Sequence, residues 1–532
     1  MKPWILRALG VLPLLLATDA TGKDYFLTVA GGYSPTGNQI SLERNVEYFR
    51  RVLAQVRPDQ PPHDVYFADG DDPHRDLQFR DESFECPAAR RIVMELFGKA
   101  DHLDISYRNH ELENVRGATS PDAIEQRLNE LASELKPGDR LFIYATAHGG
   151  SSGDEKQPHN TKLYMWQRRT VTNQQFSQWL DRLPQEVSVV LVMVQCYAGG
   201  FSHTIFEGGD DQQGLAEHQR CGFFSQVHDR MAAGCTPDIN EADYQEYSTF
   251  FWAALSGRTR LGDVIPPVDY NGDGVTSLAE AHAYAVVESN TIDIPLRTSD
   301  AFLQKYSRLA SGQGHPDAAS ATEPRPLPPV DLLDVSGPLR NLLVLADPID
   351  HQIAIQLAER LSIDLDGDAS QLEEALKTAQ RKLEEAERTR SRIARNHRRA
   401  QQRTIAQVRR EWPELESDHS PMLAALMAEH SELFVDKVEA MSSYRTMVER
   451  SEQLAEVSTE MLQRQKDDAV VRRIQQIFRR IALAHNLPKV ASPDLVQRYQ
   501  KLLELESTTL EPPSGSFTNE ITPVHNLLPT ER

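Results

Sequence analysis

Two stretches of sequence decide the fold: LFIYATAHGG, from Leu141 to Gly150, and VSVVLVMVQCYAGG, from Val187 to Gly200. Each is a continuous run of β-branched and aliphatic residues, which is typical of a buried strand in a parallel sheet. The first run ends at His148 and the second at Cys196, and glycines follow both. Because open α/β sheets bind ligands beyond the carboxyl ends of their strands, we expect these two side chains to meet at one sheet edge.

Strand and helix patterns alternate around these two runs, between residues 24 and 311. DYFLTVAGG and DVYFADG precede them as predicted strands, and RMAAGC, residues 230–235, is predicted as a further strand after them. Helices are predicted at 42–56, 121–135, 172–183 and 247–255. This alternation predicts an α/β fold in which helices cover both faces of a parallel sheet.

The rest of the chain has a different composition. Residues 312–337 are rich in Pro, Ala and Ser, which is typical of a linker, and 338–368 form a short connecting segment predicted as a strand or turn plus one helix. Residues 369–511 are rich in Glu, Gln, Arg, Ala and Leu with helical periodicity, and Ser370 with Glu373 predicts a capping box at their start. Their irregular apolar seam is compatible with a coiled coil or with an antiparallel helical hairpin.

Length, charge and the chain ends set further limits. A chain of 532 residues is too long for one compact core, and its net charge of −21 argues against a nucleic-acid partner bound through phosphates. Lys2 and Arg7 with the apolar run 8–17 predict a signal peptide over residues 1–20. We therefore expect a periplasmic or secreted protein whose mature chain has no integral membrane segment and whose tail, 512–532, is disordered.

Cys196 and His148 are the residue types needed for nucleophilic catalysis. A thiolate attacks a carbonyl carbon, and an imidazole beside it takes the thiol proton. Gly149 has no side chain to block a substrate oxygen, so its amide and that of Cys196 are candidates for an oxyanion hole worth about 3 kcal/mol per donor. Taken alone, Cys196 could instead be an inert buried cysteine, and His148 could be a structural histidine.

The segments AHGG and QCYAGG, with His148 and Cys196 48 residues apart in that order, resemble the caspase–legumain superfamily of cysteine peptidases. The resemblance extends over about residues 24–310 and implies a caspase-like fold, a catalytic dyad of these two residues and an oxyanion contact from Gly149. Two residues before the cysteine, where relatives often carry an acidic residue or glutamine, this chain has Val194. Four later carboxylates either favour Arg or Lys at the P1 position of a substrate or form a solvated loop: Asp238, Glu241, Asp243 and Glu246.

A second motif lies inside the same region. VDYNGDGVTSLAE contains the D-x-N-x-D-G-x-x-S-x-x-E pattern of an EF-hand calcium loop, in which oxygen ligands bind a hard cation. The predicted ligands are Asp269, Asn271, Asp273, the Val275 carbonyl, Ser277 and Glu280. We expect Ca²⁺ with a mainly structural role and no organic cofactor; the alternative is a metal-free turn before a helix.

These features together predict an exported, calcium-stabilised cysteine endopeptidase acting on protein or peptide substrates. Residues 369–511 would be a helical module for self-association or partner binding, or else a hairpin packed on the peptidase domain. The main alternative is a non-proteolytic calcium-binding scaffold, and a third is transpeptidation or deamidation, since amines also resolve an acyl-thioester. Of the remaining cysteines, Cys221 and Cys235 could close a disulfide, which would leave Cys86 free.

Overall fold

The computed structural model describes residues 22–98, 100–311, 331–416 and 421–511, so the predicted signal peptide, most of the linker and the tail lie outside the described residues. The strands are β1 (Asp24–Gly31), β2 (His63–Phe67), β3 (Leu77–Arg80), β4 (Ile105–Arg108), β5 (Arg140–Ala147), β6 (Gly149–Gly150), β7 (Lys162–Met165), β8 (Arg169–Thr172), β9 (Ser188–Met193), β10 (Arg220–Phe224) and β11 (Leu296–Arg297). The helices up to residue 311 are α1 (Ile40–Val56), α2 (Ala88–Phe97), α3 (Pro121–Glu134), α4 (Asn173–Leu180), α5 (Tyr247–Ser256), α6 (Leu278–Glu288) and α7 (Thr298–Tyr306). Those that follow are α8 (Leu339–Leu343), α9 (Pro348–Leu361), α10 (Ser370–Glu411), α11 (Pro421–Glu429), α12 (Ser431–Ala440), α13 (Ser442–Val490) and α14 (Pro493–Glu506).

The central sheet has six strands in the order β2-β1-β5-β9-β10-β11, and every pairing is parallel except that of β11. The chain enters at β1, moves outward to β2, and then builds the other side of the sheet from β5 onward. The strand order therefore reverses between β1 and β5, and the crevice at their carboxyl ends is where open α/β sheets bind ligands. The predicted mixed α/β class, with a mostly parallel sheet and a helical C-terminal region, is confirmed.

One predicted strand is wrong. Residues 230–235 form no strand, and the strand that follows β9 is β10, which the sequence pattern missed because its RCGFF carries an arginine and a glycine. The amides of Ala232 and Ala233 donate to side chains instead of to a neighbouring strand. The possible disulfide is also wrong, because all four cysteines are free and Cys221 is buried within β10.

The C-terminal region is built on an antiparallel helical hairpin of α10 and α13. The Gln475 side chain donates to the Leu372 carbonyl at 3.1 Å near one end, and Arg390 donates to the Ser458 hydroxyl at 3.0 Å farther along. The predicted capping box is wrong, since Ser370 is already helical and donates its amide to the Asp368 carboxylate at 2.8 Å. The connecting segment contains two helices, α8 and α9, instead of a strand or turn with one helix.

The base of this hairpin shares a hydrophobic core with the sheet. Ile474 and Phe478 of α13 belong to the same buried cluster as Phe223 of β10 and Trp252 of α5. Arg480 of α13 is also buried there, where it forms ion pairs with two carboxylates, those of Asp300 and Asp350. The sequence left open whether residues 369–511 are a module for self-association or partner binding or a hairpin packed on the rest of the chain. In the structure the base of the hairpin packs on the sheet. In the described ranges, no helix combines the length and the apolar character needed to cross a membrane.

Candidate functional site

Three segments meet at the carboxyl ends of the central strands. The first segment is the turn GGYSPTGNQ, residues 31–39, at the end of β1. The second is His148, directly after β5, and the third is Cys196, three residues after β9 ends at Met193. Since β1, β5 and β9 are neighbours in the sheet, the three segments lie side by side, and the strand order reverses between the first segment and the second. The sequence predicted the second and third segments but assigned no role to the first.

The His148 ring is oriented by the turn after β1. Its Nε2 lies 2.8 Å from the Gly37 carbonyl oxygen and 2.9 Å from Oε1 of Gln39, and the edge of the Tyr33 ring packs against it with centroids 5.2 Å apart. Both polar partners are acceptors, so Nε2 carries the proton and Nδ1 holds the lone pair. Burial lowers the pKa of His148, while the bond to Gly37 opposes that shift, so the ring is a neutral base.

Gly149 brings the histidine segment against the cysteine segment. A Cβ atom at this position would lie 2.0 Å from the Cys196 carbonyl oxygen and 2.7 Å from Cγ of Gln195. Only glycine permits this approach, because real Cβ contacts are never so short. His148 and Cys196 therefore belong to two backbone segments in direct contact, and their pairing as a catalytic dyad stays a prediction.

Cys196 stands at the start of a sharp turn. Tyr197 adopts the left-handed conformation with φ of 59°, and a 3₁₀ helix, Ala198–Ile205, follows it. The Cys196 Sγ accepts the backbone amide of Ala232 at 3.3 Å. Burial raises the pKa of the Cys196 thiol, the Ala232 amide lowers it, and the charge of Asp293 raises it again. In the free protein the Cys196 thiol and the His148 imidazole are thus both neutral.

Four residues of this site were missed by sequence reasoning: Tyr33, Gly37, Gln39 and Ala232. The first three lie in a glycine-rich turn after a predicted strand, and that was the local signal for them. Ala232 lies in the segment that was predicted as a strand, so its role as a donor to sulfur had no local signal.

The acidic residues after β10 are largely paired with arginines of the same chain. Asp238 binds Arg80 at 2.7 Å, and Glu241 and Glu246 lie 3.4 and 3.2 Å from Arg260. Burial raises the pKa of Glu246, and the Arg260 charge opposes that shift. These three carboxylates are therefore already neutralised by chain cations, which disfavours their role as an open pocket for a basic side chain.

The EF-hand-like loop is closed by its own hydrogen bonds. The Asp269 carboxylate accepts the amides of Gly272, Asp273 and Gly274 at 2.7, 3.1 and 3.0 Å. Positive φ angles of 77° and 87° at the two glycines permit the sharp turn that the motif requires. Among the other predicted ligands, the Asn271 amide donates to the Asp273 carboxylate at 2.8 Å.

Glu280 and Ser277 are buried at the start of α6, where they form a capping box. The Glu280 carboxylate accepts the Tyr270 amide at 2.7 Å through one oxygen and the Ser277 amide at 2.9 Å through the other. The oxygen ligands suit Ca²⁺ by their chemistry, but nowhere in the described part of the chain do three His, Cys, Asp or Glu side chains converge as metal ligands. Calcium binding, with Val275 as a carbonyl ligand, stays a prediction.

Comparison with known proteins adds little to this site. No protein-family model and no curated protein matches the chain. Among solved structures, it is similar to a structural-genomics crystal structure of a Geobacter sulfurreducens protein, with 10% sequence identity and a TM-score of 0.28. That match covers 49% of this chain and 88% of the other. At this TM-score the likeness supports no argument about fold or function.

Proposed function

We propose that this chain is a caspase-like cysteine endopeptidase whose dyad is Cys196 and His148. The observation that supports it best is the contact of Gly149 with the Cys196 backbone, beyond the carboxyl ends of the neighbouring strands β5 and β9. A thiol and an oriented neutral imidazole at that place are the components of nucleophilic acyl transfer.

The first chemical step is acylation of the enzyme. The thiol proton moves to Nδ1 of His148 as Cys196 Sγ forms a bond to the carbonyl carbon of the substrate. Because Nε2 donates to Gly37 and Gln39, the imidazolium formed in this step is stabilised by two acceptors. In the proposal, the amides of Gly149 and Cys196 bind the negatively charged oxygen of the tetrahedral intermediate.

The intermediate then collapses and the acyl-enzyme is hydrolysed. His148 returns its proton to the leaving amine, and the carbon–nitrogen bond breaks. Water then attacks the thioester with His148 as base, which releases the carboxylic acid and restores the thiol. An amine in place of water would give transpeptidation, so the products distinguish the two activities.

The direct test uses the purified full chain and a peptide library, with new termini identified by mass spectrometry. We expect cleavage by the wild type and none by Cys196→Ala or His148→Ala. Cys86→Ala is the matched control, because this cysteine lies outside the site with its Sγ 3.6 Å from the Pro87 carbonyl. Cleavage that persists in Cys196→Ala would refute the assigned nucleophile, and folded wild type that cleaves nothing would refute the proposed activity.

Export and calcium stabilisation are further parts of the proposal, and both depend on sequence patterns. N-terminal sequencing of the protein from a secreting host tests the signal peptide: a mature chain beginning near residue 21 supports it, and an intact Met1 contradicts it. Including Ca²⁺ or a chelator in the cleavage assay shows whether the Asp269 loop affects activity.

A further inference from the structure

The cysteine is held on one side by a loop that we name the thiol loop, residues 226–233. The Arg230 carbonyl accepts the Tyr197 amide at 2.9 Å, and two residues later the Ala232 amide donates to Cys196 Sγ at 3.3 Å. The Gln226 side chain ties the loop to itself by donating to the Met231 carbonyl at 2.9 Å. The position of the sulfur-bound amide is therefore set by the loop backbone around Arg230.

A buried carboxylate of the C-terminal hairpin holds this loop from behind. Asp468 of α13 is 1% exposed, and its Oδ2 lies 3.1 Å from Nη2 of Arg230 and 2.8 Å from Nε of Arg472. Its Oδ1 has no hydrogen-bond partner among the described residues. Arg230 is thus anchored to α13 by its side chain while its carbonyl binds the Cys196 turn.

A second path from the same helix reaches the loop one residue beyond the sulfur contact. Arg473 is buried and donates to the carbonyl oxygens of Val286, Ser289 and Asp293, each at 2.8 Å. The Asp293 carboxylate in turn accepts the Ala233 amide at 2.7 Å. Arg473 therefore organises the segment that holds Ala233, the neighbour of the sulfur-bound amide.

We propose that helix α13 positions the Cys196 nucleophile, with Asp468 acting through Arg230 and Arg473 acting through Asp293. Both residues are positioning residues, since neither touches the sulfur. Replacement of Asp468 or Arg473 releases the thiol loop, and the Ala232 amide, which stabilises the thiolate, moves away from the sulfur. This inference rests on the proposed function only in taking Cys196 as the nucleophile.

The reactivity of Cys196 towards iodoacetamide, followed by mass spectrometry of its peptide across a range of pH, tests the proposal. In Asp468→Asn we expect alkylation of Cys196 at neutral pH to slow by about tenfold, equivalent to a rise of about one unit in the thiol pKa. The matched control is Asp467→Asn, because Asp467 is the adjacent residue of α13, is 41% exposed and pairs with Arg464. Its Cys196 should react at the wild-type rate.

Arg230→Gln is the second variant, to be used if Asp468→Asn does not fold. This variant breaks the same ion pair, between Arg230 and Asp468, at the residue that is 29% exposed instead of the buried one. It should slow alkylation of Cys196 to a similar extent. A folded Asp468→Asn or Arg230→Gln protein with the wild-type pH profile would overturn the proposal. Alkylation needs no peptide substrate, so the positioning role can be tested even if the wild type cleaves nothing. In that case a slower alkylation of Cys196 in the variants would support the positioning role, while the absence of cleavage would refute the peptidase function.

Discussion

Three histidines beside the Cys196 turn lead to a specific expectation for acid stability. The ring centroids of His159 and His203 lie 3.8 Å apart in a stack, and those of His159 and His228 lie 4.1 Å apart. Burial, with repulsion from the neighbouring imidazoles, lowers the pKa of His159 to about 2 and that of His203 to about 3. Asp211 opposes the shift at His159, and Lys305 adds to it at His203.

The sign of the effect follows from proton binding. In the unfolded chain a histidine has a pKa near 6.5, so below that pH the unfolded state takes up protons that the folded stack does not bind. The contribution of the buried neutral histidines to the free energy of unfolding is therefore fully present above about pH 6.5 and is lost as the pH falls. For His203 the free energy of unfolding drops by about 1.4 kcal/mol per pH unit, or about 2 kcal/mol at about pH 5.

The substitution His203→Phe removes one titrating ring and keeps an aromatic side chain against Phe206, whose ring lies 5.1 Å from that of His203. Urea unfolding between about pH 6.5 and pH 4.5 should show a pH slope shallower than that of the wild type by about 1.4 kcal/mol per unit. Carboxylates titrate equally in both proteins and cancel in the difference. The exposed His74 provides the control His74→Asn, whose slope in this range should not become shallower. Parallel slopes for His203→Phe and wild type would refute the reasoning.

Other substitutions test the remaining parts of the site. Gly149→Ala should abolish peptide cleavage and change the rate of Cys196 alkylation, because its Cβ would lie 2.0 Å from the Cys196 carbonyl oxygen and would displace that segment; wild-type cleavage would contradict that geometry. Gln39→Leu removes one acceptor from His148 and should lower kcat by about tenfold or more with little change in KM, whereas an effect on KM alone would argue against an orienting role. Calcium at about 100 times its Kd should stabilise the wild type by about 2.7 kcal/mol but not Asp269→Asn, and equal thermal midpoints in calcium and chelator would exclude binding.

Much of the sheet was predictable because its signals are local. The runs ending at His148 and Cys196 are mostly apolar, and a strand buried on both faces needs no partner information to be recognised. β10 was missed for the opposite reason: Arg220 is buried in it with partners outside the strand, the Asp181 carboxylate and the Thr204 carbonyl, which the local pattern does not show. The four-residue and two-residue strands outside the central sheet are likewise too short for a periodic pattern.

The sequence by itself determined that His148 and Cys196 follow two central strands, because strand runs and the glycines after them are properties of neighbouring residues. Only the tertiary structure decided which groups surround those side chains. The tautomer of His148 depends on Gly37 and Gln39, and the amide beside the sulfur depends on a loop held by Asp468. The contacts of His148 with Gly37 and of Arg230 with Asp468 join segments separated by more than 100 residues, and hydrogen bonds and buried ion pairs between such segments exist only after the chain has folded.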